Sequence, residues 1–484
     1  MNIAKVKGYI MSAGTGFHLR EVTWPVNKFS LPKPVVPVGS RRIIDFSLQA
    51  LTELQVPKTW VNYRKHTEAV KNYLEYVQHF YKGADVHFCR EEGLLGSAGS
   101  LVNMAGEVNS NLQDDEYAIV LNGDIVQNVA LRPIIEAHIE SGADATLVVR
   151  PIWDETLGNY DTVTLPGMPA KGLKEETKEF LNKLAGGNRM EKIVSYNRRL
   201  PREQSSSNLI DASIYILSGR FVKEYIGGKH PNGDDRITKR PHPKKEVEIL
   251  RKKEKLEEAL AIIMEQKSLT NIENLREDLR RAIDRLNEYG QNEYRLCFYN
   301  MEHVFAKAIR DNKNIMAYLM PKECYWRDVG DRSGVWQVNM DVLMKKNIKL
   351  LWLEEGEAKW GLWKRTDWGW QSTINVHNDA RIDKDTTSII GDDCSIENDV
   401  EIKNSIIGAR TIIHKGAKII NTVIFPQDKG RPFNEIGGEY TLENCLFLNG
   451  NLTASKDKNL KDKSLYVPEG NIIINPLKIE KEDK

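Results

Sequence analysis

Apolar positions in the first 150 residues fall into two patterns. Val6–Met11, Tyr117–Leu121 and Ala145–Val149 are short apolar runs of the length of a buried strand, the first broken only by Lys7 and Gly8. Ile43–Leu54, His66–Phe80 and Leu131–Glu140 instead carry apolar residues at helical spacing. Alternating strands and helices predict a Rossmann-like α/β fold, a mainly parallel mixed sheet with helices on both faces. From Trp153 to Arg189 the pattern gives way to a polar, irregular surface excursion that includes Pro166–Gly167–Met168–Pro169 and Gly186–Gly187. Strand-like sequence returns at Lys192–Tyr196 and Ile210–Leu217. Val304–Leu319 reads as a helix plus a strand, and Trp336–Met344 as a helix.

Two other stretches follow different rules. Between Pro231 and Gly290, Leu250, Leu256, Leu260 and Ile263, then Leu269, Ile272, Leu275, Leu279, Ile283 and Leu286, stand among dense Lys, Glu and Arg. They predict two amphipathic helices broken near Ser268–Asn271, a helical hairpin inserted at 231–290 whose charge is most simply a solvated face. From Ile390 an aliphatic residue recurs every six positions, at Ile390, Ile396 and Ile402. After a one-residue slip the series resumes at Ile407, Ile413 and Ile419, with Gly391 and Gly408 following two of them. This rhythm predicts a short left-handed parallel β-helix of about two turns, with less regular flanks near Ile374–Ile382 and Val423–Phe447. The expected organisation is an α/β domain over 1–345, the β-helix over 346–455, and a polar tail, partly loose, over 456–484.

Composition narrows the class. With 484 residues and a formal net charge of +1, nothing suggests a nucleic-acid tract or an anionic membrane as partner. No run of 18 apolar residues occurs and the N-terminus lacks a signal-peptide apolar core, so no membrane association is expected. Cys89, Cys297, Cys324, Cys394 and Cys445 are scattered singly. They read as reduced, inert thiols of a cytoplasmic protein.

Several loops carry candidate chemistry. The stretch Ile10–Pro34 turns through Gly14 and Gly16 after the first strand and ends at Lys33–Pro34. Glycines there leave backbone N–H groups free to approach a phosphate, and Lys33 adds a point charge. An ordinary strand–turn–strand join fits the same residues. Gly96, Ser97, Ala98 and Gly99 open a helix without bulky side chains, which suits an anionic or planar ligand, or is simply a start capped by Ser97. Asp124 lies just past a strand in Asn122–Gly123–Asp124, a metal-ligand position or a turn residue. Asp328 in CYWRDVGDRSG is a second acid, or a partner for Arg327.

In company, these segments resemble the sugar-nucleotide pyrophosphorylases. GSRRIIDFSL (Gly39–Leu48) is similar to the G-x-x-R-x-I-D-F-x-L segment of bacterial ADP-glucose pyrophosphorylases, and Tyr325–Leu343 to their Y-W-x-D-x-G-T run ending A-N-x-D-L. NGDIV matches the metal-binding Gly-Asp, and LLGSAGSL the small-residue helix start, which also resembles mannose-1-phosphate guanylyltransferases. The likeness covers roughly residues 5–150, 190–225 and 300–425. It implies a nucleotidyltransferase that joins a nucleoside triphosphate, ATP first, to a sugar 1-phosphate, glucose 1-phosphate first, with release of pyrophosphate, as in glycogen synthesis. It also implies Mg²⁺ as cofactor and oligomers formed through the β-helix. By resemblance Ala13, Gly14, Gly16, Gly96, Ser97 and Gly123 bind the nucleotide, Arg199 and Ser213 the sugar phosphate, and Asp124 and Asp328 the metal. Catalysis would then fall to Lys33, His18 and Asp124.

The departures are specific. His18 stands where the family places its catalytic arginine, and Phe17 where it places threonine. Extra residues around Trp24–Ser30 separate the loop from Lys33. Arg198–Arg199 replaces a Glu-Lys pair, and Ser40 replaces an activator-binding lysine of many members. Histidine carries less charge at neutral pH and lacks the arginine fork. Two readings therefore stand: an active enzyme, for adenylyl or for guanylyl or uridylyl transfer to another sugar, and a catalytically impaired regulatory subunit paired with an active sibling. A third, acyl transfer with His414 as base, rests on the hexapeptide coil alone.

Overall fold

The computed structural model describes residues 2–14, most of 32–226, 300–343 and most of 364–476. Gly16, Phe17, His18, Ser40, Arg198, Arg199, Cys297 and the 231–290 hairpin lie outside the described residues. The chain packs as two compact units. Met1–Gly14, Leu48–Asn122 and Ala130–Lys322 make one, and Thr15–Ser47, Gly123–Val129 and Glu323–Lys484 the other.

The first unit is built on a ten-stranded sheet. Its main path uses β1 (Val6–Met11), β2 (Thr59–Tyr63), β3 (Val86–Arg90), β4 (Tyr117–Asn122), β5 (Ala145–Pro151), β6 (Met190–Lys192), β7 (Leu209–Ser218) and β8 (Ile315–Leu319), in the order β6-β8-β5-β7-β4-β1-β2-β3. β1 pairs in parallel with β4 and β2, β2 with β3, and β8 with β5, while β7 runs antiparallel between β4 and β5. The expected parallel, mixed sheet is thus present. Central strands are apolar on both faces because helices cover both. Gly8 in β1 is a requirement of that cover: a Cβ there would lie 2.8 Å from Leu51 Cδ1 of the helix Ile43–Glu53. Lys7 is tolerated because its ammonium reaches Glu116 at 2.7 Å.

The stretch read as an irregular excursion is more ordered than its composition suggests. It holds the strand Thr162–Thr164 and the helix Lys174–Gly186. Thr177 and Leu181 are buried among the helix's charges, and Phe180 and Leu184 pack against the core beside them, so a narrow apolar stripe suffices.

The second unit contains the coil. Ile390 pairs with Ile407, Ile396 with Ile413 and Ile402 with Ile419, so the one-residue slip closes one turn and each aliphatic stacks on its counterpart. All six are buried. The ladders continue through Ile424, Ile436 and Leu442 to Phe447, Leu452 and Leu460, further than the strict repeat. Strands continue into the stretch expected as a polar tail. Asn459–Lys461, Lys463–Val467 and Ile473–Pro476 are strands; the first two extend the parallel ladders, with Leu460 opposite Leu442 and Leu465 opposite Phe447, and Leu460 is buried. Corners are turned by residues in the left-handed region, Asn404, Asn421 and Asn444 at one edge, with Asn421 Nδ2 donating to Asn444 Oδ1. Gly408 allows close passage of the next coil; a Cβ there would sit 2.3 Å from Pro426 N. Within this unit Val335, Val338 and Leu343 of the helix Arg332–Leu343 share a core with Ile406, Val423, Phe425 and Leu446 of the coil.

His414 joins three coils. Its Nδ1 lies 2.9 Å from Glu397 Oε1 and its Nε2 2.8 Å from Glu435 Oε1. Both ring nitrogens are engaged, so it is not the free base that acyl transfer would require. The hydrogen bond to Glu435, opposed by partial burial and helped by Glu397, raises its pKa above the usual histidine value. The Lys415 backbone N–H also donates to Glu397, at Oε2, at 2.9 Å. A raised folded pKa stabilises fully below about pH 6.5 and loses that contribution as pH rises through the raised value. Calorimetric melting of the full chain is expected to show a Tm that falls from about pH 6 to about pH 9, with His414→Gln flattening that slope.

No helix among the described residues is long and apolar enough to cross a membrane. Cys89, Cys394 and Cys445 are buried and Cys324 half-buried, all as thiols outside any disulfide.

Candidate active site

In the first unit the carboxyl edge of the sheet carries the start of the glycine turn. Ser12, Ala13 and Gly14 follow β1, and three polar residues at the ends of the next strands hold them. Asn62 in β2 accepts from Ser12 N at 2.5 Å through Oδ1, its own carbonyl accepts from Ser12 Oγ, and its Nδ2 donates to Glu91 Oε1 at 2.7 Å. Arg64, just past β2, donates from Nε to the Ala13 carbonyl at 2.7 Å. Glu91, just past β3, has its pKa raised by burial against hydrogen bonds from Ser100 and Asn62 and the nearby Arg64 charge. All of these side chains are buried, while Gly14 is exposed, with open space where a Cβ would stand.

The small-residue segment opens the helix Gly96–Gly106, with Gly96 at φ +72°. Ser97 does not cap its own helix. Its Oγ accepts from Met301 N at the start of the helix Met301–Arg310, and its N–H donates to Asn300 Oδ1 at 3.1 Å. The two helix starts therefore satisfy each other's end groups.

Ser213 sits in β7 at φ +57°, where the pairing with β5 shifts register between Asp211 and Tyr215. Its N–H donates to Asp211 Oδ1 at 2.7 Å, and the Tyr196 and Tyr215 hydroxyls lie 2.9 and 3.0 Å from Asp211 Oδ2. Burial, opposed by the Ser213 hydrogen bond and reinforced by Asp161, pushes the Asp211 carboxyl up to about 7. That network fixes the left-handed bulge that presents Ser213.

In the second unit Lys33 opens the short turn Lys33–Val35. The strands Ile125–Gln127 and Trp326–Asp328 pair antiparallel, with Asp328 opposite Ile125. Asp124 is the residue before that strand, so the pairing brings both acids to one end. Lys33 Nζ lies 2.8 Å from Asp124 Oδ2 and 3.0 Å from Asp328 Oδ1. The lysine side chain is only 13% exposed, the acids 33% and 34%. Burial alone would lower the lysine pKa, but the two carboxylate charges and their hydrogen bonds outweigh it and hold it above the ordinary value. Arg327 is not the partner of Asp328. Strand alternation sends it the other way, to Asp341 Oδ2 at 3.4 Å and the Tyr325 hydroxyl at 3.1 Å. Gly123 is buried beside Asp124.

The chain has known counterparts. The nucleotidyl transferase profile matches residues 7–345. The chain belongs to the nucleotidyl transferase family. Residues 377–479 match the GLGC left-handed parallel β-helix domain, which gives the coil its hand. Glucose-1-phosphate adenylyltransferases of Bacillus cereus (strain Q1) and Bacillus mycoides (strain KBAB4) are each 21% identical, over 97% of this chain and 96% of theirs. A crystal structure from Bacillus anthracis, carrying the name of a glucose-1-phosphate thymidylyltransferase in complex with sucrose, covers 69% of this chain and 94% of its own at 14% identity. Its TM-score of 0.43 is too low to bear on the site.

Asn62, Arg64 and Glu91, which hold the turn, and Asp211, which holds the Ser213 bulge, are not among the candidates the sequence offers. A signal existed for two of them. Arg64 and Glu91 each follow directly on a strand, at the edge where such sheets bind ligands.

Proposed function

We propose that the chain transfers a nucleoside monophosphate from a nucleoside triphosphate to a sugar 1-phosphate, with ATP and glucose 1-phosphate as the pair and glucan synthesis as the setting. The observation that carries this reading is the convergence of Asp124 and Asp328 on one cationic point. Mg²⁺ fits there, because it asks for one or two carboxylates and completes its shell with phosphate oxygens and water. Among the described residues no group of three or more His, Cys, Asp or Glu gathers as a metal site, which is compatible with an ion shared with substrate. When bound, the ion would neutralise triphosphate oxygens and orient them.

The reaction asks for no covalent step from the protein. A sugar phosphate oxygen attacks the α-phosphorus in line, the bond to the bridging oxygen breaks, and pyrophosphate leaves. The chain must hold two anions together and balance the charge that grows on the leaving group. In this reading Ala13, Gly14, Gly16, Gly96, Ser97 and Gly123 bind the nucleotide. Arg199 and Ser213 hold the sugar phosphate. Lys33 and His18 would meet the phosphates. Oligomers form through the β-helix.

A second reading has its own support in the sequence, since His18, Phe17 and Arg198 weaken the phosphate set. It makes the chain a regulatory partner that binds the same ligands without turnover. Pyrophosphate release by the purified chain with Mg²⁺, ATP and glucose 1-phosphate tests the first reading, with GTP, UTP and dTTP and other sugar 1-phosphates in parallel. Turnover supports an enzyme and names the base. Binding without turnover supports the regulatory reading, and neither binding nor turnover overturns both.

A further inference from the structure

We propose that Arg64 positions the nucleotide turn, aiming the Gly14 amide at the triphosphate by holding the Ala13 carbonyl inward. The inference rests on the nucleotidyl transfer reading above and adds a residue to it. A trans peptide is planar, with its C=O and the following N–H pointing in opposite directions. Arg64 Nε holds the Ala13 oxygen at 2.7 Å from a site where Arg64 is only 7% exposed. The N–H of the same peptide, that of Gly14, therefore points away from the interior. Gly14 is exposed, and nothing lies within 4 Å of the place a Cβ would take. The amide is presented to open space of the kind a phosphate fills.

Arg64 is itself fixed. Its N–H donates to Thr67 Oγ1 at 2.7 Å, and Thr67 N returns a bond to the Arg64 carbonyl at 2.9 Å. β1 and β2 run in parallel, Ile10 opposite Val61, so the residues after each strand share one edge. Glu91, tied through Asn62 to Ser12, balances the buried cation. A guanidinium on the carbonyl also polarises the peptide and strengthens the N–H as a donor. A guanidinium stays charged at any working pH, so this hold on the carbonyl does not depend on pH.

The test is Arg64→Met and Arg64→Lys in the full chain, with circular dichroism to confirm folding. Calorimetric titration with ATP, GTP, UTP and dTTP in Mg²⁺, and with glucose 1-phosphate, reads the result. For the best nucleotide, R64M is expected to weaken binding by about tenfold or more, while the sugar phosphate constant stays put and R64K recovers part of the loss. If R64M does not fold, R64K decides, since a smaller weakening confined to the nucleotide is expected of it. Unchanged nucleotide affinity in a folded R64M, or in R64K where R64M does not fold, overturns the positioning role, and so does equal weakening of both ligands. A wild-type chain that binds none of the four nucleotides brings down the functional reading and this proposal together, whereas normal wild-type binding with indifferent variants brings down this proposal alone.

Discussion

Asp328→Asn is expected to lower kcat for pyrophosphate release by about a thousandfold and to remove most of its response to Mg²⁺. Asp124→Asn should do nearly the same. The two acids meet at one point, 2.8 and 3.0 Å from the Lys33 ammonium, so either loss halves the charge that faces a divalent cation. Because they act as a unit, the double variant should be little worse than either single one. Steady-state rates across a Mg²⁺ titration would measure this, with circular dichroism as a check on folding. A folded Asp328→Asn variant that turns over within a few-fold of wild type would remove the metal role from this pair. Lys33 sharpens the expectation. Both acids hold its pKa above the ordinary value, so it is a full cation where it lies between them.

The second large effect is a gain. His18→Arg should raise kcat by about a hundredfold, since a fixed cation on the leaving pyrophosphate commonly accounts for several kcal/mol of transition-state stabilisation. Arginine keeps its charge at any working pH, whereas histidine carries less charge at neutral pH and lacks the arginine fork. Steady-state rates of wild type and His18→Arg would measure the ratio. A ratio near one would separate position 18 from the charge on the leaving group. If the wild type were silent and the variant active, the regulatory reading would be favoured.

How far the site could be read in advance differs from element to element. The glycine turn, the small-residue helix start and the two aspartates were each visible because glycine and acid residues at strand ends are local features. Their partners were not visible. Nothing near Asp328 in sequence points to Lys33, almost three hundred residues earlier, and the local candidate, Arg327, turned out to face Asp341. The cap expected of Ser97 serves a helix two hundred residues away. Asn62, Arg64 and Glu91 look like ordinary loop residues until parallel pairing lines up the strands that precede them. The polar stretch at 153–189 hides its order for a related reason: a narrow apolar stripe carries a helix when a core is there to receive it, and composition does not reveal the core.

The sequence by itself determined the fold class, the family and the coil. Each depends on periodicity or on short motifs, and those are properties of neighbouring residues. The alternation of strands and helices and the six-residue rhythm from Ile390 set which side chains turn inward, and burial follows directly. Only the tertiary structure decided which charges meet. Ion pairs and hydrogen bonds fall off within a few ångströms, and a distance of 3 Å between residues remote in the chain is set by strand order and register, as with Trp326–Asp328 against Ile125–Gln127. That one pairing changes Asp124 and Asp328 from two turn residues into a single site around Lys33.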